Sequence, residues 1–283
     1  MFNHIVVQEC LTFLNDTPRN AWYREKLKKQ VPGKVVMEIG CGAGILAAYA
    51  LEFGAKKYYG IDIRSNRANF TRNILKDLGY EDRAQVWIDD FCQLTARDLP
   101  QDIDILLCEQ TGHQFQNNFT IKQFWQHANK ILNSPYNSLP NEWSIDAEVY
   151  EGLLDSQLPE YQPRVLIPDS VLPLRYYNAV RQTEFVKPSQ YHASVFSICP
   201  LNSAQDIKFT IDLRGYKSAT VVLTDHISYG KDRCRAISAT TDWPGPIKLV
   251  VPNADSIVEF IWDYELRCLP HYTKGYWRYQ HVS

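Results

Sequence analysis

The stretch of the chain that best suits ligand binding is the glycine-rich sequence E-I-G-C-G-A-G at residues 38–44. Its glycines stand at alternate positions, Gly40, Gly42 and Gly44, between an apolar run and a helix-like pattern. Glycines in such a turn let the backbone bend tightly and approach a ligand closely. Asp62 ends the next apolar run about twenty residues later, where a carboxylate can accept hydrogen bonds from ribose hydroxyls. The spacing therefore predicts a cofactor that contains a nucleoside.

The acidic residue that leads into this turn separates two candidate cofactors. Loops that bind dinucleotides space their glycines as G-x-G-x-x-G and place a pyrophosphate at the helix N-terminus. Here the pattern is E-x-G-x-G-x-G, and Glu38 would repel a pyrophosphate but tolerate a cation. S-adenosylmethionine carries a sulfonium and an ammonium group, so the loop favours it over a nicotinamide cofactor. Asp90 follows a third apolar run and is either an acceptor for the adenine amino group or a solvated turn residue.

Several motifs resemble those of one enzyme family. The glycine loop, G-I-D at residues 60–62 and D-D-F at residues 89–91 resemble the class I S-adenosylmethionine-dependent methyltransferases. Three further stretches resemble the protein arginine methyltransferases: L-N-D-T-P-R-N-A-W-Y at 14–23, L-P-N at 139–141, and T-D-W at 241–243, where the family has T-H-W. The resemblance runs from about residue 11 to residue 243 and beyond, and it is weaker in the second half.

The resemblance assigns roles to residues in two places. It implies that Arg19 binds the carboxylate of the cofactor, with a position on the helix surface as the alternative. It also implies that Glu109 and Gly112 hold the positions of the first glutamate and the glycine of the catalytic loop, with Glu109 beside the cofactor as well. In that family two glutamates grip the guanidinium of arginine and hold one nitrogen toward the methyl group. Trp22 and Tyr23 either cover the cofactor or belong to the core.

The chain departs from the family pattern at two positions. Asn118 stands where the second glutamate is expected, and an amide offers a carbonyl acceptor but no negative charge. Asp242 replaces the histidine, and it is either a second carboxylate that forms a clamp with Glu109 or a turn residue before W-P-G-P. His113, within the catalytic loop, is a candidate proton relay or hydrogen-bonding wall. These departures favour a non-standard acceptor.

The elements that would position these residues fall into two halves. Residues 1–138 alternate strand and helix patterns, which predicts a Rossmann-like, doubly wound α/β domain that binds the cofactor, preceded by a helix at 18–29. Residues 139–283 predict an antiparallel β-barrel-like substrate domain. Its predicted strands cover residues 144–150, 165–175, 207–213, 219–224, 234–239, 247–251 and 256–266.

Composition restricts the class of protein. The 283 residues are 45% hydrophobic, which suffices for a large core, and 30 basic against 32 acidic side chains leave no basic field for nucleic acid. We expect no membrane span and no signal peptide, because the apolar runs are short and no basic leader precedes them. Seven scattered cysteines without a C-x-x-C spacing predict no metal site and a reducing, cytoplasmic setting.

The leading interpretation is an N-methyltransferase that uses S-adenosylmethionine and acts on a guanidino or other cationic nitrogen. The acceptor is either a peptidyl arginine or a small guanidino compound. The alternatives are a catalytically silent scaffold that binds the cofactor, a methyltransferase of a neutral nitrogen, and, more distantly, a nicotinamide enzyme. The family resemblance also implies a possible homodimer, for which residues 152–173 are a candidate arm.

Overall fold

The fold is described from a computed structural model of the chain. The structure describes residues 16–109, 118–133, 135–152, 191–203, 206–235, 247–265 and 274–282. The strand predicted at 165–175, the candidate arm beyond residue 152 and the end of the strand predicted at 234–239 lie outside these ranges.

The first part of the chain is a parallel sheet with helices. Its strands are β1 Val35–Ile39, β2 Lys57–Asp62, β3 Ala84–Ile88, β4 Ile105–Leu107 and β5 Asn137–Leu139. They pair in parallel in the order β3-β2-β1-β4-β5. The helices are α1 Thr17–Gln30, α2 Ile45–Glu52, α3 Ser65–Asp77 and α4 Asn118–Ile131. The strand order reverses between β1 and β4, and in open α/β sheets ligands bind at such a switch point, beyond the carboxyl ends of the strands.

Local sequence explains where these elements begin and end. All five residues of β1 are buried, as is typical of a parallel strand covered on both faces. The helix α1 begins after Asp16, whose side chain accepts a hydrogen bond from the backbone N–H of Arg19, and Pro18 lies in its first turn. Short 3₁₀ turns at Glu81–Arg83 and Phe91–Gln93 flank β3.

The second part of the chain consists of antiparallel strands. They are β6 Glu142–Glu151, β7 Tyr191–Ile198, β8 Lys208–Asp212, β9 Ser218–Tyr229, β10 Asp232–Arg235, β11 Ile247–Pro252, β12 Ile257–Glu265 and β13 Lys274–Val282. One sheet has the order β10-β9-β6-β7, with β11 also on β9, and the other has the order β13-β12-β8. In the described ranges the strands form two sheets rather than a closed barrel. The predicted class, a Rossmann-like domain followed by antiparallel β structure, is confirmed.

Four details differ from the sequence-based expectation. The strands β5, β7 and β13 were not predicted, and the helix that the sequence pattern predicts at residues 123–132 begins five residues earlier, as α4. The strand β7, Y-H-A-S-V-F-S-I, mixes small and polar residues because it lies at a sheet edge and pairs only with β6 among the described strands. The domain boundary at 138 stays a prediction; β5 spans that position, and the chain enters the antiparallel sheet at Glu142.

Helix α1 lies against the second part of the chain. Lys26 bonds to Asp232 in β10, and the hydroxyl of Tyr229 in β9 donates to Oε1 of Gln30 at 3.0 Å. The buried apolar side chains of both parts form one continuous cluster. No helix in the described ranges is long and apolar enough to cross a membrane.

Candidate active site at the switch point

The glycine loop is held against the end of β2 by backbone hydrogen bonds. The N–H groups of Gly40 and Cys41 both donate to the carbonyl oxygen of Ile61, at 2.7 and 3.1 Å. Gly44 has a φ of 70°, and a Cβ there would come within 3.2 Å of the side chain of Thr71. Only glycine satisfies both conditions without strain, so this residue type is required for the turn into α2.

Asp62 organises the loop from the end of β2. Its side chain is buried, and its two carboxylate oxygens accept from the backbone N–H groups of Gly42 and Arg64, each at 2.9 Å. A carboxylate has about four acceptor positions, so these two bonds leave capacity for ligand hydroxyls. The structure therefore places Asp62 next to the glycine loop, as the spacing predicted.

Glu38 lies near the end of β1, two residues before Gly40 of the glycine loop. It is 3% exposed, and the hydroxyl of Tyr58 in β2 donates to its Oε2 at 2.5 Å. Burial raises the pKa of Glu38 to about 8, because desolvation and the nearby carboxylates of Glu109 and Asp62 outweigh the hydrogen bond from Tyr58. At neutral pH the carboxyl group of Glu38 is therefore mostly protonated.

Arg19 turns inward from α1 to the end of β4. Its Nη1 lies 2.5 Å from Oε1 of Glu109, its Nε lies 3.3 Å from Asp16, and its side chain is 5% exposed. Burial disfavours its charge, but Glu109 and Asp16 more than compensate and raise the pKa of Arg19. The surface position considered from the sequence is therefore wrong, because this guanidinium lies inside the site.

The other candidate residues are described only in part. Asp90 caps the 3₁₀ turn after β3, since its Oδ1 accepts from the N–H of Cys92 at 3.0 Å. Asn118 begins α4, but its side chain is outside what the structure describes. His113 and Asp242 lie outside the described residues altogether. The structure thus brings Arg19, Glu38, Asp62, Glu109 and the glycine loop together, and it leaves the proposed clamp untested.

Helix α1 carries two buried hydrogen-bond donors. The hydroxyl of Tyr23 and the indole Nε1 of Trp22 are buried, and neither has a hydrogen-bond partner among the described residues. Burial and the nearby charge of Glu109 raise the pKa of Tyr23, so its hydroxyl remains a donor. Buried donors normally have partners, and unsatisfied ones in a native protein call for an explanation. The hydroxyl of Tyr23 is close to Arg19 and Glu109, and together with the acceptors Asp62 and Glu38 these groups suit a ligand with hydroxyl, ammonium and carboxylate groups, as S-adenosylmethionine has.

Comparison with known proteins agrees with this geometry. A family model described as a methyltransferase domain matches residues 30–153. Residues 30–153 therefore resemble a methyltransferase domain. A probable protein arginine N-methyltransferase 6.1 from Oryza sativa subsp. indica is 26% identical over 163 residues, which are 54% of this chain and 41% of that protein. The chain thus spans about two-fifths of the length of this curated relative.

Solved structures share the fold over almost the whole chain. The crystal structure of PRMT6-SAH superposes with a TM-score of 0.65 at 15% identity, covering 95% of this chain and 98% of that one. The Trypanosoma brucei PRMT1 enzyme-prozyme heterotetrameric complex with AdoHcy gives 0.59 at 16% identity, with coverage of 96% and 97%. The expected resemblance to the arginine methyltransferases is confirmed as a distant one, and S-adenosylmethionine is confirmed as the cofactor that this kind of domain uses.

Sequence reasoning missed two contributors to the site. Tyr58 was not singled out, because its contact with Glu38 depends on the register of two strands. Asp16 stands just before α1, where an aspartate is a typical helix cap, but its pairing with Arg19 was not predicted. Asp16 and Glu109 both pair with Arg19, and the carboxyl groups of Glu38, Glu109 and Asp62 lie close enough to interact, so this acidic setting favours cationic ligands.

Proposed function

We propose that the chain is an S-adenosylmethionine-dependent N-methyltransferase that acts on a guanidino or other cationic nitrogen. The observation that carries this proposal is the Arg19–Glu109 ion pair at the switch point, beside the glycine loop. It joins the group expected to bind the cofactor to the group expected to bind the acceptor. The match to a methyltransferase domain and the fold shared with arginine methyltransferases support the same activity.

Each cofactor contact has a residue of matching chemistry. Asp62 accepts from the ribose hydroxyls, Asp90 accepts from the adenine amino group, Glu38 faces the ammonium, and Arg19 binds the carboxylate. The glycines at 40, 42 and 44 let the backbone approach the cofactor. When bound, S-adenosylmethionine supplies an electrophilic methyl group on its sulfur.

The acceptor is held by Glu109. A guanidinium is a poor nucleophile because its charge is delocalised over three nitrogens. Glu109 accepts hydrogen bonds from it, orients one nitrogen and favours charge on the others, so that positioning and electrostatics lower the barrier. In this proposal Asp242 supplies the second negative charge that Asn118 lacks, and His113 is a further candidate from the sequence of the catalytic loop. Asp242→Asn should then reduce methyl transfer about as strongly as Glu109→Gln.

The missing second glutamate leaves two classes of methyl acceptor in the proposal. With Asn118 in place of a second carboxylate, a small guanidino compound fits the proposal as well as a peptidyl arginine. We also propose that the chain forms a homodimer. One solved structure that shares the fold is an enzyme-prozyme heterotetramer, which supports some form of oligomer. A cytoplasmic location is supported by the five described cysteines, which are all free thiols.

Methyl transfer from labelled S-adenosylmethionine tests the proposal directly. The protein is incubated with arginine-rich peptides and with small guanidino compounds, and label in the acceptor is measured. We expect one class to be labelled, with Glu109→Gln keeping its affinity for the cofactor but losing about 10² to 10³ in rate, because one preorganised charged contact is lost.

The same assay distinguishes an active methyltransferase from a catalytically silent scaffold that binds the cofactor. A wild-type protein that binds S-adenosylmethionine but labels neither class would favour the scaffold that the substitution at Asn118 also suggests. Equal loss of cofactor binding in Glu109→Gln would mark Glu109 as a structural partner of Arg19 rather than an acceptor-binding residue.

A further inference from the structure

Tyr58 in β2 contacts the buried carboxyl group of Glu38 at the end of β1. The strands β1 and β2 pair so that Glu38 lies opposite Gly60, two residues along β2 from Tyr58. The ring of Tyr58 passes over Gly60, where a Cβ would come 2.9 Å from the phenol oxygen. Gly60 therefore provides the space through which the hydroxyl of Tyr58 reaches Oε2 of Glu38 at 2.5 Å.

This hydrogen bond is isolated from water. Tyr58 is 0% exposed and Glu38 is 3% exposed. The titratable groups that act on Glu38 are Tyr58, Glu109 and Asp62, and the buried thiol of Cys41 is also close enough to interact with it. Arg19 is paired with Glu109 and Asp16 and is not among the described groups that act on Glu38. Two carboxylates and a low-dielectric setting thus make a negative charge on Glu38 costly while the site holds no cation.

We propose that Tyr58 is a positioning residue for the carboxyl group of Glu38. It holds this group so that Glu38 releases its proton to solvent and accepts a hydrogen bond from the cationic cofactor when the cofactor binds. This inference rests on the proposed function, because it takes S-adenosylmethionine as the ligand. The ammonium of the ligand stabilises the ionised carboxyl group, and the O–H of Tyr58 donates to the same group and lowers the cost of ionisation.

The proposal predicts in which direction pH changes the affinity for the ligand. Burial raises the pKa of Glu38 to about 8, so below that pH the ligand must displace a proton in order to gain its ionic contact. Affinity therefore increases with pH and levels off once Glu38 is already ionised. Removal of the Tyr58 hydroxyl raises the cost of ionisation further. The increase in affinity then shifts to higher pH, and binding near neutral pH weakens.

Calorimetric titration of S-adenosylhomocysteine and S-adenosylmethionine tests the proposal. The first ligand retains the ammonium but lacks the sulfonium charge. Both are titrated at about pH 6.5, 7.5 and 8.5, in buffers of different ionisation enthalpy that count released protons. The proteins are the wild type, Tyr58→Phe, Glu38→Gln and the control Tyr59→Phe, which alters the next residue of β2, a buried tyrosine stacked on Trp87. Titration of the ligand amine affects the wild type, Tyr58→Phe and Tyr59→Phe equally, because all three keep Glu38, so these proteins are compared with one another at each pH.

We expect the wild type and Tyr59→Phe to release protons and to bind more tightly as the pH rises. Tyr58→Phe should bind roughly tenfold more weakly near pH 7, as expected for a shift of one unit in the pKa that governs binding. Glu38→Gln should bind without the pH dependence. A wild-type profile for either Tyr58→Phe or Glu38→Gln would overturn this inference and leave the proposed function standing. Failure of the wild type to bind either ligand at any pH would instead overturn the proposed function.

Discussion

At the scale of single residues, burial controls how the acidic groups of the site behave. Glu38 is enclosed, and its pKa is raised to about 8, so it holds a proton at neutral pH. Glu109 is partly open to solvent and bonded to a guanidinium. Two carboxyl groups of the same site therefore differ: burial favours the protonated form of Glu38, whereas Glu109 forms an ion pair with Arg19.

The raised pKa of Glu38 predicts how stability changes with pH. The folded protein binds one more proton than the unfolded chain between the ordinary pKa of 4.5 and about 8. Its stability therefore falls as the pH rises through this window and levels off above it, by up to ~1.4 kcal/mol per pH unit. Glu38→Gln lacks this titration, so it should gain stability relative to the wild type from about pH 5.5 to about pH 8.5. Urea unfolding measures the difference, and parallel pH curves would contradict the assignment.

Residue types and spacing could predict part of the site. Alternate glycines, an aspartate about twenty residues later and the arginine of the first helix are encoded locally. In the structure Gly42 contacts Asp62 and Arg19 is buried beside Glu109, and their roles in cofactor binding stay predictions. The ion pair between Arg19 and Glu109 joins positions 90 residues apart, and Tyr58 meets Glu38 through strand register. Such contacts depend on tertiary packing, which a motif does not encode.

At the scale of elements, α1 is the part that links the site to the second half of the chain. Its inner face presents Arg19 to the site, and its far end bonds to β9 and β10. Lys26, which forms the bond to β10, is itself buried. The position of Arg19 therefore depends on contacts made more than one helical turn away.

This role of α1 predicts a difference between two neighbouring lysines. Lys26→Ala removes a buried aliphatic stem and the bond to Asp232, and it should lower the free energy of unfolding by ~1–2 kcal/mol. Lys29→Ala removes an exposed lysine that pairs only with Glu25 among the described contacts, so its unfolding midpoint should stay near that of the wild type. Urea titration of both variants is the measurement. Equal midpoints would show that α1 does not depend on Lys26.

Strand prediction succeeded where alternation was strong and failed where it was weak. Residues 256–266 alternate clearly and form β12, whereas β7 contains small and polar residues at an edge. An edge strand has one neighbour and needs fewer apolar side chains, so its pattern is less distinct. The succession of helices and strands was enough to predict the fold class, because it fixes parallel pairing in the first half.

At the scale of the whole molecule, one apolar core extends through both halves. The parallel and antiparallel parts therefore stabilise each other rather than standing as independent units. Differential scanning calorimetry should record a single cooperative transition, with calorimetric and van't Hoff enthalpies in agreement. Two separated transitions would show that the halves unfold independently and that the contacts of α1 contribute little to their cooperation.

The central claim is that the glycine loop and Asp62 form the site of S-adenosylmethionine, on which the proposed chemistry depends. Calorimetric titration of the wild type and Asp62→Asn with S-adenosylmethionine, and with NADH for comparison, tests it most directly. We expect the wild type to bind S-adenosylmethionine and not NADH. Asp62→Asn should bind it about ten- to hundredfold more weakly, because the loss of charged hydrogen bonds to ribose costs ~1.5–3 kcal/mol. Binding of NADH instead, or undiminished affinity in Asp62→Asn, would contradict the account.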